Sequence, residues 1–147
     1  KEWSLKSWLE FHARANHHGE DLVFSAGPSK REQALLGELR SHCKDVKTLP
    51  KVDSLDLFMA VLAASKAVVS VDTATLHLAA GLKRPTIGLF GPTDSRRWSP
   101  PGPMQRAIQG NHCDCSGHSE ICERKIRCID AVNSNDVWNT LQQVIST

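Results

Sequence analysis

Asp72, Thr73 and His77, followed by Gly91-Pro92-Thr93-Asp94, are the residues whose types and order suit chemistry on a phosphate. Residues 68–71 (Val-Val-Ser-Val) read as a buried strand that runs straight into Asp72. A helix opening at Thr73 then carries His77 on its second turn and gives Ala79, Ala80 and Gly81 to a packing face. A second apolar strand, residues 86–90, ends at the Gly91 turn. Polar groups at the carboxyl ends of parallel strands are where open α/β sheets bind ligands. Two roles stand open for Asp72. As a helix cap it contributes about 1 kcal/mol. As a site residue it accepts from a hydroxyl or from the turn, while the amides of Thr73 and Ala74 and the helix dipole hold a phosphate. His77 divides in the same way, between a core imidazole and a hydrogen-bonding or cationic partner of a diphosphate.

Gly27-Pro28-Ser29 repeats the strand-then-glycine pattern earlier in the chain. Glycine lets a ligand approach the backbone closely, and two such turns favour a crevice over simple bends. Neither G-x-G-x-x-G nor G-x-x-x-x-G-K-S/T occurs, so dinucleotide and P-loop binding lack support. Cys113, Cys115, Cys122 and Cys128 fall within 16 residues, close to His112 and His118. Their C-x-C-x6-C-x5-C spacing is not a standard zinc pattern, and three states stay open: zinc, disulfides, or reduced packing thiols. Cys43 reads as a core residue on a helix face. No Ser–His–Asp order, paired carboxylates or metal-ligand triad emerges. A general base is therefore expected outside these residues, with no cofactor and no metal at the phosphate site.

Caps and periodicity supply the elements that hold these groups. Ser4 suits the N-cap of a helix to about residue 16, with Leu5, Trp8, Leu9 and His12 near helical spacing. Residues 21–25 read as a short strand, and Ser29 with Glu32 fits a capping box opening a helix to about residue 42. Residues 46–49 form a further short strand. Asp53 or Ser54 then caps a helix with Leu55, Phe58, Met59 and Leu62 at i, i+3, i+4 and i+7. Residues 98–103 can only be an irregular loop. A last strand spans residues 107–109, and Ser134 caps a closing helix with Val137, Leu141, Val144 and Ile145 on one face. Alternating helices and uniformly apolar strands imply an α/β, Rossmann-like, doubly wound parallel sheet covered on both faces, with four or five strands and about five helices.

At 147 residues, 40% hydrophobic and 23% charged, the chain has the composition of one globular domain and not of a disordered segment. A net charge of +2, with Lys and Arg scattered, gives no footprint for nucleic acid. No apolar run approaches the ~18 residues of a membrane helix, and no signal-peptide pattern opens the chain, which reads as soluble. Opening at Lys1 with a helical pattern close behind reads as a piece of a longer polypeptide whose remainder is N-terminal.

Asp72-Thr73-Ala74-Thr75-Leu76-His77-Leu78-Ala79-Ala80, the basic-Pro turn at Arg84-Pro85, and Phe90-Gly91-Pro92-Thr93-Asp94 together resemble glycosyltransferase family nine, the ADP-heptose–lipopolysaccharide heptosyltransferases of bacteria. Lys1-Glu2-Trp3 followed by Trp8 is similar to the K-x-W-P segment that opens the family's C-terminal domain. Cys128-Ile129 and the helix around Val137 resemble the tail of many members. The resemblance covers essentially the whole chain, and D-S/T-G-x-x-H joined to G-P-T-D is specific in that order and spacing.

The resemblance implies one half of a GT-B fold, the C-terminal domain that binds a nucleoside diphosphate sugar, with ADP-heptose as the expected donor. It places Lys1 on the donor phosphates, Asp72, Thr73, Ala74 and His77 along the diphosphate and sugar, and Gly91, Pro92 and Thr93 at the closing wall. The Gly27 turn falls where the family contacts the nucleoside. The lipopolysaccharide-core acceptor and the base would belong to an N-terminal domain, in a cytoplasmic protein with peripheral contact at the inner membrane. Three positions depart from the pattern: Ala74 replaces the glycine after D-S/T, Lys30 stands in place of an acidic residue, and Ser4 replaces a proline. Two other readings lie outside this reaction: a non-catalytic nucleotide-binding Rossmann module, and a nucleotide-sugar epimerase of GT-B fold.

Overall fold

Serine hydroxyls start three of the helices that frame the sheet. Ser4 Oγ accepts from the Ser7 amide at 3.0 Å, Ser29 Oγ from the Glu32 amide at 3.2 Å and Ser54 Oγ from the Leu57 amide at 3.4 Å. The computed structural model describes residues 2–111 and 127–146. Within them the order is α1 (Leu5–His17), β1 (Val23–Phe24), α2 (Lys30–His42), β2 (Lys47–Thr48), α3 (Leu55–Ala64), β3 (Val68–Val71), α4 (Ala74–Gly81), β4 (Thr86–Phe90), α5 (Ser95–Trp98), β5 (Gln105–Gln109), a 3-10 helix (Cys128–Ala131) and α6 (Ser134–Ile145). No helix among the described residues is long and apolar enough to cross a membrane.

Every strand pairing is parallel, as the alternation of helix and strand requires. The pairings fall into two ladders, β1-β2 and β3-β4-β5, where one sheet was expected. β1 and β2 are each two residues long, enough to pair with each other. Side chains make the connection instead: Trp8 and Leu22 pack both on the small core of Phe24, Leu39 and Val46 and on the large core behind β4.

β4 is buried at all five positions, and its side chains alternate between two layers. Ile87 and Leu89 point into the large core, with Phe11, Val137, Trp138, Leu141 and Val144. Gly88 points the other way, onto α4. A Cβ there would lie 2.8 Å from Leu76 Cδ2 and 2.6 Å from Phe90 Cε2, so glycine is what lets α4 lie close on the strand. On the large-core side, Trp3 meets Trp8 edge-on at 4.9 Å and anchors the other end of the chain by donating from Nε1 to Val132 O at 2.9 Å. Phe11 meets Trp138 at 6.0 Å, which joins α1 to α6.

Three local expectations change. The N-cap of α6 is Asn133, whose side chain accepts from the Asn135 amide; Ser134 is the first helical residue, buried, and donates to Glu10 Oε2 at 2.8 Å. Helix propensity alone could not separate two adjacent capping residues, and the α1 partner decides between them. α5 forms just before the proline-rich loop because Asp94 caps it, and β5 begins at Gln105 because parallel pairing with β4 extends it. Cys43 is the C-cap of α2, half-buried at the rim of the small core, and not a member of a helix face.

Replacing Gly88 with alanine should lift α4 from β4 and destabilise the fold by about 1–3 kcal/mol, the usual cost of overpacking. Urea unfolding followed by circular dichroism measures it, and an unchanged midpoint would show that α4 does not need this close contact.

Candidate functional site

The carboxyl ends of β3 and β4 are adjacent by register, since Val71 pairs with Leu89. Asp72 follows β3 directly and is 7% exposed. Its Oδ2 accepts from Thr93 Oγ1 at 2.8 Å, and its Oδ1 stands 3.7 Å from His77 Nε2. The carboxylate thus accepts from a hydroxyl of the Gly91 turn, and the N-cap position of α4 is Thr73. The Thr73 side chain makes no capping bond and lies 3.1 Å from Ser70 Oγ. Thr73 and Ala74, where α4 begins, are exposed. His77 is 47% exposed on the same rim. A buried carboxylate, an open helix N-terminus and an accessible imidazole thus meet within two turns.

The Gly91 turn is fixed from behind. Gln109, the last residue of β5, donates from Nε2 to Gly91 O at 2.8 Å and accepts from the Ser95 amide at 2.9 Å. Asp94 accepts from the Arg96 amide at 3.0 Å and holds the Arg96 guanidinium at 3.0 and 2.9 Å, which raises the arginine above its usual pKa. The close approach that glycine permits at position 91 is made by the chain itself. A Cβ there would come within 2.7 Å of Ile129 Cβ and 3.1 Å of its backbone nitrogen. Pro92 and Thr93 are half-buried beyond it.

Gly27 lies past the carboxyl end of β1, in a turn that closes on its own residues. Gln33 Nε2 donates to Gly27 O at 2.8 Å, the Ser29 hydroxyl donates to Glu32, and the Glu32 carboxylate lies against the face a Gly27 side chain would occupy. Lys1 lies outside the described residues, as do Cys113, Cys115 and Cys122 with His112 and His118. Cys128 is buried in the 3-10 helix, with its carbonyl against Gly110 just past β5 and accepting from the Asn111 amide at 3.1 Å. Ser70 and Gln109 were missed in the sequence. Both sit inside strand patterns, where polar residues give no signal of what they will brace.

A cavity of about 560 Å³ opens between α1 and α6, lined by Glu10, Arg14, His17, His18, Asn133 and Asn135. It shares no residue with the Asp72 rim. The cavity and the polar convergence thus lie apart, and the convergence at Asp72 is the candidate site.

Parallel strands, with a helix N-terminus and a glycine-proline turn at their carboxyl ends, define a Rossmann-like unit of the GT-B class. A model of glycosyltransferase family 9 (heptosyltransferase) matches residues 1–125, and the chain belongs to that family. Lipopolysaccharide heptosyltransferase 1 of Salmonella typhimurium is 38% identical over 94 residues, 64% of this chain and 29% of that protein. The Pseudomonas aeruginosa enzyme of the same name is 37% identical over 94 residues, 64% of this chain and 26% of that one. The chain thus spans under a third of the length of these relatives. Among solved structures, E. coli heptosyltransferase WaaC with ADP superposes at a TM-score of 0.77 with 27% identity, over 98% of this chain and 40% of that one. The same enzyme with ADP-2-deoxy-2-fluoro heptose gives 0.74 with 28% identity, over 97% and 39%.

Thr93→Val removes the hydroxyl that Asp72 accepts from. A lost hydrogen bond to a charged group should cost about 1.5–3 kcal/mol of unfolding free energy, and Thr93→Ser should restore most of it. Equal stability of the valine and serine variants would mean that the Thr93 hydroxyl does not hold the carboxylate.

Proposed function

We propose that this chain forms the donor-binding half of a heptosyltransferase, taking ADP-heptose and passing the sugar to a lipopolysaccharide-core hydroxyl. The observation that carries the reading is the rim of Asp72, Thr93 and His77 beside the uncapped N-terminus of α4. The family match and the two WaaC structures, one with ADP and one with an ADP-heptose analogue, support the choice of donor.

In this reading the amides at Thr73 and Ala74, with the α4 dipole, take the donor diphosphate. His77 donates to a phosphate oxygen or carries positive charge beside it. Asp72, held by Thr93, orients the imidazole and accepts from the sugar or the turn. The acceptor hydroxyl attacks the anomeric carbon, the bond from that carbon to the phosphate oxygen breaks, and ADP leaves with the electron pair. Negative charge grows on the diphosphate as it departs, so the amides, His77 and Lys1 act where charge develops. The acceptor's proton goes to a base outside these residues, in an acceptor-binding half. The Gly27 turn is assigned to the nucleoside, and Gly91 and Pro92 to the wall behind the sugar. A cytoplasmic location with peripheral contact at the inner membrane follows from where such an acceptor is made. Ala74 adds one methyl above the diphosphate path, which narrows the site without removing the amide.

Calorimetric titration with ADP-heptose and with UDP- and GDP-sugars tests the donor. ADP-heptose should bind best, and His77→Ala should weaken it about tenfold, the loss of one charge-assisted hydrogen bond. Preference for a uridine or guanosine donor, or full affinity in His77→Ala, would overturn the reading. Residues 1–147 alone should transfer no sugar, so measurable turnover by them would place the base within this chain.

A further inference from the structure

His12 on α1, Cys43 at the end of α2 and Asp45 in the turn before β2 are far apart in sequence or on separate elements, yet one ligating atom from each lies within 4.8 Å of the others. None belongs to the Asp72 rim. His12 is 3% exposed, and its Nε2 stands 3.7 Å from Asp45 Oδ2. Asn16 Nδ2 lies 2.8 Å from that same oxygen and 3.2 Å from His12 Nε2. Nε2 is thus the ring nitrogen that faces Asn16 and Asp45, and Nδ1 is a buried atom with no hydrogen-bond partner among the described residues. Cys43 Sγ donates to Asp45 Oδ1 at 2.7 Å.

We propose that His12 Nε2, Cys43 Sγ and an Asp45 carboxylate oxygen form a binding site for a zinc-class divalent cation, separate from the sugar-nucleotide rim. The donor set selects the metal. Imidazole with thiolate suits zinc and cobalt and is poor for magnesium or calcium, which prefer all-oxygen shells. Tetrahedral ligation places neighbouring donors about 3.3–3.8 Å apart; the donors here lie within 4.8 Å of one another, with Cys43 Sγ 2.7 Å from Asp45 Oδ1, so metal entry requires the Asp45 carboxylate to shift off the thiol. The least anchored ligand is the one that can move: Asp45 is 66% exposed, whereas His12 is fixed in the core and packs on Phe24 at 5.9 Å. Burial therefore grades from His12 outward, and the fourth position opens to water.

Binding forms the sulfur–metal bond as the Cys43 thiol proton leaves to solvent; nothing is oxidised or reduced. The hydrogen bond to the Asp45 carboxylate raises the Cys43 thiol above its usual pKa and lowers Asp45 below its own. Bound metal would clamp α1 to the α2–β2 turn, behind the strand that leads to the Gly27 turn.

The test uses the purified protein carrying Cys113→Ser, Cys115→Ser and Cys122→Ser, which removes those thiols as rival ligands. Titration with cobalt(II) should saturate at one equivalent with a near-ultraviolet thiolate-to-cobalt band that zinc(II) abolishes by displacement. Adding Cys43→Ser should eliminate the band, and Asp45→Asn, at an exposed position, should weaken binding at least tenfold. Folded protein that binds no cobalt or zinc stoichiometrically would overturn the proposal and leave the cluster as a hydrogen-bonded clasp. A band that survives Cys43→Ser would overturn it too. Neither outcome bears on nucleotide titrations at His77.

Discussion

Burying β4 on both faces imposes two different demands on one five-residue strand, and the rest of the fold follows from how they are met. Ile87 and Leu89 fill the side shared with α1 and α6, while Gly88 leaves room for Leu76 of α4 on the other. A side chain in place of Gly88 would push α4 outward. Close packing makes such a shift costly, because interiors have few voids to absorb it. The position of α4 is thus tied to the strand, and its N-terminus is held at the carboxyl edge beside β3. The register of β3 on β4 then brings Asp72 level with the Gly91 turn.

That edge is braced in layers. Thr93 holds Asp72, Gln109 holds the Gly91 carbonyl and the start of α5, and the 3-10 helix seats Ile129 against Gly91. Each brace comes from a different strand or loop. The orientation of the Asp72 carboxylate is therefore set by a group from another element. The cluster on His12, Cys43 and Asp45 is built on the same plan with other donors: one buried anchor, one half-buried group and one exposed carboxylate.

Much of this was readable from residue types alone. The serine caps of α1, α2 and α3, the apolar runs of β3 and β4 and the Asp72–His77 and Gly91–Asp94 motifs carry their own local signals, because capping and turn chemistry act over three or four residues. The division of the strands into two ladders was not readable, since it depends on how short β1 and β2 are once paired. Nor were the roles of Ser70 and Gln109, polar residues in strands whose partners come from elsewhere in the chain. His12 and Cys43 read as core positions. Only the approach of α1 to the end of α2 brings His12 to Cys43 and Asp45.

By itself the sequence determined the parallel α/β class, the order of its main elements and the family motifs at Asp72–His77 and Gly91–Asp94, because periodicity, caps and glycine-proline turns are local and short-ranged. The tertiary structure decided which groups meet. It chose a hydroxyl 21 residues away as the partner of Asp72, gave the closeness of Gly91 to Ile129, and assembled three metal-type donors from separate elements. Contacts of that kind depend on packing two faces of β4 at once, and no local run of residues encodes both.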